Sequence, residues 1–139
     1  MLIRGPSGAG KSRLALQLIQ SARTGSPPFA CLVADDRVHL QAAGGRLVAR
    51  PAQMLAGLLE IRGIGIVRLP YEPSAVVGLV VDLGGDSERL PAAEDAEAVV
   101  GGIRIPRLAV APTSTDLPAR VRLLTCPPQG FDRPQGRIC

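Results

Sequence analysis

The sequence predicts an α/β domain with a mixed sheet and few helices, and three observations carry that prediction. A glycine-rich phosphate-loop pattern, Gly5-Pro6-Ser7-Gly8-Ala9-Gly10-Lys11-Ser12, lies between an apolar stub and an amphipathic stretch. Strand, loop and helix in that order are what such a loop requires. Beyond the helix, the apolar runs are short and bounded by Gly, Pro or Asp, as strands are. Finally, 46% of the 139 residues are apolar but only three are aromatic, two Phe and one Tyr, so a single core of aliphatic side chains is expected.

Taken in order, Leu2-Ile3-Arg4 reads as the end of a strand. Lys11–Arg23 reads as a helix whose Leu14, Leu18 and Ala22 share one stripe with Ala15 and Ile19 alongside. Thr24-Gly25-Ser26-Pro27-Pro28 stops it. Phe29–Ala34 is a continuous apolar run, which predicts a buried strand ended by Asp35-Asp36. Gly44-Gly45 predicts a hairpin between Val38–Gln41 and Arg46–Ala49. A short helix or turn over Pro51–Leu55 and a brief strand over Leu58–Ile61 follow, then a loop from Arg62 to Ile66. Ala75–Leu83 predicts the central strand, Gly84–Glu88 a turn, and Arg89-Leu90 a further extended stretch. Gly102–Pro106 and Leu108–Val110 read as separate strands or edge pieces, and Pro118–Leu124 closes the domain as a strand or short helix. Residues 1–124 are thus the domain, and the Pro- and Gly-rich residues 125–139 a flexible tail.

Charge and cysteine content exclude some functions. Residues 1–63 carry eight basic and three acidic side chains, and residues 64–139 carry eight and nine. All basic residues but Lys11 are arginine, with no lysine block or basic–aromatic stretch, so no nucleic-acid partner is expected. No apolar run approaches the roughly 18 residues of a membrane span, and Met1–Arg4 enters the glycine loop without an export-signal core, so no membrane association is expected. Cys31, Cys126 and Cys139 are widely spaced, with neither a CxxC nor a zinc pattern, which fits a reduced, cytoplasmic protein.

The phosphate loop carries the clearest chemistry. Small residues let successive backbone N–H groups turn inward around a β-phosphate, and the following helix adds its positive end. Lys11 would reach the β- and γ-phosphates of ATP, and Ser12 Oγ would ligate Mg²⁺. Asp35 and Asp36 should stand at the C-terminal edge of the preceding strand, where ligands of open α/β sheets bind. Alternation would point their side chains to opposite sides, leaving one to hold Mg²⁺ and the other to accept a proton from an incoming hydroxyl. Glu60 and Arg62 lie two residues apart, before Gly63 and Gly65. Their spacing admits either a metal contact by Glu60 with Arg62 on a phosphate oxygen, or an internal salt bridge.

GPSGAGKS at Gly5–Ser12, LVADDRV at Leu32–Val38 and LEIRGIGIV at Leu59–Val67, in that order, resemble the catalytic domain of the HPr kinase/phosphorylase family, most closely its short proteobacterial members. Similarity extends through Val76–Leu83, Glu88-Arg89-Leu90 and the IPRLAV segment to about Leu124. The resemblance implies a phosphate-loop fold related to that of phosphoenolpyruvate carboxykinase. It also implies ATP- and Mg²⁺-dependent phosphorylation of a serine in HPr-like phosphocarriers, its reversal by phosphorolysis, and a homo-oligomer. By the same resemblance Asp35 is the acid/base residue, Asp36 its metal-side neighbour and Glu60 the magnesium-associated carboxylate. Arg62 belongs to the family signature, and Arg89 matches a basic residue of the reverse reaction.

The sequence departs from the family in places. Members carry strands and an active-site histidine upstream of the loop, whereas here Met1 stands four residues before Gly5 and His39 falls beyond the aspartates. Arg13 occupies a position where an acidic or small residue is expected. An exposed apolar edge at Leu2–Arg4 and weak transfer activity are the corresponding expectations. Two other readings of the motifs stay open, a small-molecule kinase or nucleotide hydrolase and a nucleotide-binding regulatory module.

Overall fold

In a computed structural model, residues 1–25, 27–84, 96–110 and 118–121 are described. The strands are β1 (Leu2–Arg4), β2 (Val38–Ala43), β3 (Arg46–Pro51), β4 (Leu58–Ile61), β5 (Gly65–Arg68), β6 (Ala75–Val76), β7 (Val80–Leu83), β8 (Glu97–Val100) and β9 (Ile103–Val110). Helix α1 spans Lys11–Ala22, a 3₁₀ turn covers Gln53–Leu55, and residues 118–121 make a helical turn. The main sheet has the order β1-β7-β9-β8, with β1, β7 and β9 parallel and β8 antiparallel to β9. β2-β3-β6 is a separate sheet, and β4-β5 a separate hairpin. The fold is therefore the expected mixed α/β type with few helices.

Alternation along β7 explains the layering. Val81 and Leu83 turn toward α1, where they pack with Leu14, Leu18, Leu79, Val110 and Val121. Val80 turns the other way and packs with Leu47, Ala49, Val77, Ala98 and Ile105, joining the main sheet to β3. Val80 and Val81 are both fully buried, so the main sheet is covered on each face by aliphatic side chains. The helix stripe behaves as its spacing requires: Leu14 and Leu18 are buried and Arg13 is exposed. Gly44 and Gly45, with φ of 55° and 73°, make the two-residue turn that joins β2 to β3.

Several elements differ from their sequence pattern. Phe29–Ala34 is not a ladder strand: only Leu32 forms a bridge, parallel to Tyr71, and Phe29 is 69% exposed. Its neighbouring segment, Pro70 to Pro73, explains why. Pro70 and Pro73 flank the Glu72 N–H that donates to Leu32 O at 2.7 Å, and a proline cannot extend the ladder. Ala75–Leu83 is likewise not one strand but two, in different sheets. Ala75–Val76 pairs with β3, Val77 N donates to Leu47 O at 2.8 Å, and Val80–Leu83 then enters the main sheet between β1 and β9. Unbroken apolarity there records burial in two layers, not a single ladder.

The last segments change in the opposite sense. Ile103–Val110 is one strand despite Pro106, because its first half pairs with β8 as far as Glu97↔Pro106 and its second half pairs with β7 from Val80↔Arg107. Pro106 stands at the changeover between ladders, the kind of position where a missing N–H is tolerated. The expected loop at 62–66 is shorter, since β5 already starts at Gly65. Residues 85–90, including the extended stretch at Arg89-Leu90, and residues 122–139, including the expected tail, lie outside the described residues. Among the described residues, no helix is long and apolar enough to cross a membrane.

Candidate active site

The phosphate loop leaves the C-terminal end of β1 and closes against β7. A Cβ on Gly5 would lie 2.6 Å from the Leu83 carbonyl oxygen, and the φ of 151° also favours glycine, so only glycine lets the loop pass this close to the neighbouring strand. Gly10 caps α1 in the left-handed conformation. No side chain caps the helix and no acidic residue occupies its first turn, which leaves that end electropositive. Lys11 Nζ folds back over the loop and donates to Gly5 O and Pro6 O, both at 3.1 Å. Ala9 N–H donates to Pro6 O at 3.2 Å, and Pro6, Ser7 and Gly8 are exposed around this turn.

Asp35 is brought to the loop by its own two oxygens. Oδ1 accepts from Ser12 Oγ at 3.1 Å, and Oδ2 accepts from the Glu60 backbone N–H at 3.0 Å. One half-buried carboxylate thereby ties the start of α1 to hairpin β4-β5. Asp36, next along the chain, is exposed, so the two neighbours meet different surroundings. His39 is exposed on β2, beyond both.

Hairpin β4-β5 supplies the other two charged groups. Glu60 is exposed and pairs in register with Ile66. Arg62 is in the turn after β4, and its guanidinium lies over the loop, with Nη2 3.5 Å from where a Gly8 Cβ would be. Glu60 and Arg62 form no ion pair with each other among the described residues, because the chain turns at Arg62 instead of continuing extended. Lys11, Ser12, Asp35, Glu60 and Arg62 thus gather at one end of the fold. Arg89 lies outside the described residues.

Two cavities adjoin this cluster. The larger, about 720 Å³, runs beside β1 and α1 under the 27–34 segment; its walls are mostly aliphatic, and Lys11, Asp35 and Asp36 stand at its polar end. β1 has β7 as its one sheet partner among the described residues, so this cavity follows the free edge of β1. The smaller cavity, about 120 Å³, shares Asp35 and Asp36 with it and is otherwise walled by Arg37, Leu55, Leu58, Glu60 and Ile66.

A charged cluster beneath the loop is not apparent from the motifs. Arg4, the residue before Gly5, donates from Nε and Nη2 to Asp82 Oδ1 and Oδ2, each at 2.7 Å. Arg107 Nε donates to the same Asp82 Oδ2 at 2.6 Å. The bidentate hydrogen bonding of Arg4, assisted by Arg107, outweighs partial burial and holds the Asp82 carboxyl below the usual carboxylate range. The sequence signal is a lone acid in the apolar run Val80-Val81-Asp82-Leu83, with an arginine ending another strand; what it lacks is the register Arg4↔Asp82 that makes them partners.

The donor set suits a phosphate-bound Mg²⁺, which commonly takes one or two carboxylates and completes its shell with phosphate and water oxygens. Ser12 Oγ and Asp35 face each other as hard oxygen donors. Among the described residues no group of three or more His, Cys, Asp or Glu side chains could hold a metal ion alone, which separates this arrangement from an all-protein cage.

The chain is similar to known proteins in sequence and in fold. Residues 1–72 match the HPr Serine kinase C-terminal domain profile. The chain is 38% identical over 123 residues to the HPr kinase/phosphorylase of Streptococcus gordonii, covering 79% of this chain and 37% of that protein. It is 47% identical over 79 residues to the Streptococcus thermophilus HPr kinase/phosphorylase, covering 55% and 23%. The chain thus spans well under half the length of these curated relatives. The solved Hpr(Ser) kinase/phosphatase from Coxiella burnetii shares the fold, with a TM-score of 0.69 at 24% identity over 88% of this chain and 82% of that one.

Proposed function

This chain belongs to the HPr Serine kinase C-terminal domain family, and from that premise we propose that it transfers the γ-phosphoryl group of ATP to a serine hydroxyl of an HPr-like phosphocarrier protein. Membership supports kinase/phosphorylase chemistry of this general kind. The observation that carries the finer reading is the double engagement of Asp35, by the Ser12 hydroxyl at 3.1 Å and the Glu60 N–H at 3.0 Å. A carboxylate held at the helix start of a phosphate loop is suited to meet an acceptor hydroxyl beside a bound γ-phosphate.

In this reading the N–H groups of Gly5 to Ser12 cradle the nucleotide phosphates, and Lys11 leaves its carbonyl partners for the β- and γ-phosphates. Arg62, already over Gly8, neutralises charge on the transferred group. The serine oxygen bonds to the γ-phosphorus as the bond to the bridging oxygen of ADP breaks, and Asp35 takes the serine proton. Mg²⁺ would be held by Ser12, Asp36 and Glu60 and would supply neutralisation of phosphate charge when bound. Phosphorolysis is the same path run backward, with phosphate as the acceptor and pyrophosphate as the product. Arg89 is assigned to that direction by family likeness.

The test is transfer of labelled phosphate from γ-labelled ATP to HPr-type carriers, with small alcohols and water as competing acceptors and the modified residue mapped by mass spectrometry. Phosphoserine on a carrier is the expected result. Label found only as free phosphate or on small alcohols would replace this reading with a hydrolase or a small-molecule kinase. ATP binding with no transfer to any acceptor would leave a nucleotide-binding module.

A further inference from the structure

We propose that Asp82 is a positioning residue for phosphoryl transfer. It holds Arg4 in a two-pronged grip that fixes the register of β1 on β7, and with it the place at which the phosphate loop meets the nucleotide. This role rests on the phosphoryl-transfer reading above and adds to it the group that sets the loop in place.

The loop is seated on the end of β7. Gly5 passes so close to the Leu83 carbonyl oxygen that only glycine fits, and Pro6 Cδ lies 3.4 Å from where a Gly84 Cβ would be. Leu83 and Gly84 directly follow Asp82, just as Gly5 and Pro6 directly follow Arg4. Arg4↔Asp82 is also the last pair of the β1-β7 ladder. The ion pair therefore stands where the chain leaves the sheet, and any shift of β1 along β7 passes straight into the loop. Alternation puts Asp82 on the face of Val80, away from Leu83, and its hydrogen bonds go to Arg4 and Arg107. Its effect on the loop thus runs through the backbone of β1.

β1 needs such a device. It has three residues and, among the described residues, β7 as its one partner. Its other pairs, Leu2↔Val80 and Ile3↔Val81, are aliphatic on both sides. A slip by one residue would turn every β1 side chain to the wrong face, but a slip by two would not, so apolar burial alone does not forbid it. Such a slip would carry Arg4 opposite Val80 or Gly84 and break its grip on Asp82. In the observed register both prongs close at 2.7 Å, while Arg107 holds Oδ2 from β9 at 2.6 Å, so one carboxylate ties three parallel strands. The Asp82 side chain is 16% exposed, which limits competition from water. A forked guanidinium–carboxylate pair fixes direction as well as distance, and setting a register is the best-attested use of a partly buried charge.

The experiment compares Asp82→Asn, Arg4→Lys and the double variant in the full chain. Asparagine keeps the shape of Asp82 but offers one acceptor oxygen, and lysine keeps the charge of Arg4 but not its fork. Ile105→Ala, which empties buried core volume on β9 away from the loop, is the stability control. Affinity for a non-hydrolysable ATP analogue with Mg²⁺ is measured calorimetrically, together with kcat and carrier KM for transfer to an HPr-type carrier. All measurements are made below every thermal midpoint, with circular dichroism confirming the fold. Each single variant should lose about 10-fold or more in kcat and bind the analogue more weakly, with carrier KM little changed. The double variant should lose hardly more than either single one, because both changes break the same grip. Ile105→Ala should lower the thermal midpoint yet keep analogue affinity and kcat. Unaltered kcat and analogue affinity in Asp82→Asn and Arg4→Lys, or equal losses in Ile105→Ala, would overturn the positioning role and leave the kinase reading standing. Weakened analogue binding in the variants, with no transfer to a carrier even by the unaltered chain, would support the placing of the loop and overturn the carrier reading. No analogue binding by the unaltered chain would overturn both.

Discussion

The Ser12 hydroxyl donates to Asp35 Oδ1 at 3.1 Å across 23 positions of sequence. This hydrogen bond joins the first turn of α1 to the segment that follows the Leu32 bridge, and the second oxygen of Asp35 extends the link to hairpin β4-β5 through Glu60 N–H. Three separate sequence motifs therefore meet on one carboxylate. The arrangement makes Asp35 the positional link among them.

Lys11→Ala should reduce phosphoryl transfer by at least about 100-fold, the usual cost of losing a charge aimed at the transition state. The fold should survive, because among the described residues Lys11 bonds only to the exposed carbonyls of Gly5 and Pro6. Steady-state transfer at saturating Mg²⁺, with circular dichroism as the fold control, checks this.

Gly5→Ala and Gly10→Ala should differ, although both glycines have positive φ. At Gly5 the new Cβ meets the Leu83 carbonyl oxygen at 2.6 Å, whereas at Gly10 it meets nothing within 4 Å. Urea unfolding should show a loss of about 2 kcal/mol or more for Gly5→Ala, against about 1 kcal/mol for Gly10→Ala from backbone strain alone. Equal losses would mean that the close approach to β7 is not what fixes Gly5.

Asp82→Ala should destabilise the domain by about 2 kcal/mol, less than for a fully buried pair, because the Arg4 side chain is 41% exposed. The two guanidinium groups of Arg4 and Arg107 would then face each other without their shared acceptor. The pH dependence has a definite sign. The Asp82 carboxyl is held below its usual value in the folded state, chiefly by Arg4. Its contribution is therefore complete above the ordinary aspartate pKa of about 3.9 and is lost as the pH falls through the lower folded value. Unfolding curves across the acid range should fall more steeply for the unaltered protein than for Asp82→Asn.

Much of this site is legible in the sequence because its signals are local. The phosphate loop, the α1 stripe and the Gly44-Gly45 hairpin each depend on residues within one element, and each stands where its spacing puts it. The failures are non-local. Phe29–Ala34 has the composition of a strand, but its neighbour is flanked by Pro70 and Pro73. Ala75–Leu83 has the apolarity of one strand but crosses between two sheets. Pro106 reads as a break between strands, yet β9 runs through it because its partner switches there from β8 to β7. The Arg4–Asp82–Arg107 cluster depends on strand register, which no single segment encodes.

The most direct test of the account is Asp35→Asn, with ATP binding and serine phosphorylation measured on the same preparation. The amide can keep an oxygen toward the Glu60 N–H but cannot take a proton from the acceptor hydroxyl. ATP affinity should stay close to that of the unaltered chain, while transfer to an HPr-type carrier should fall by at least about 100-fold. Transfer by Asp35→Asn at the unaltered rate would contradict the assignment of Asp35 as the proton acceptor.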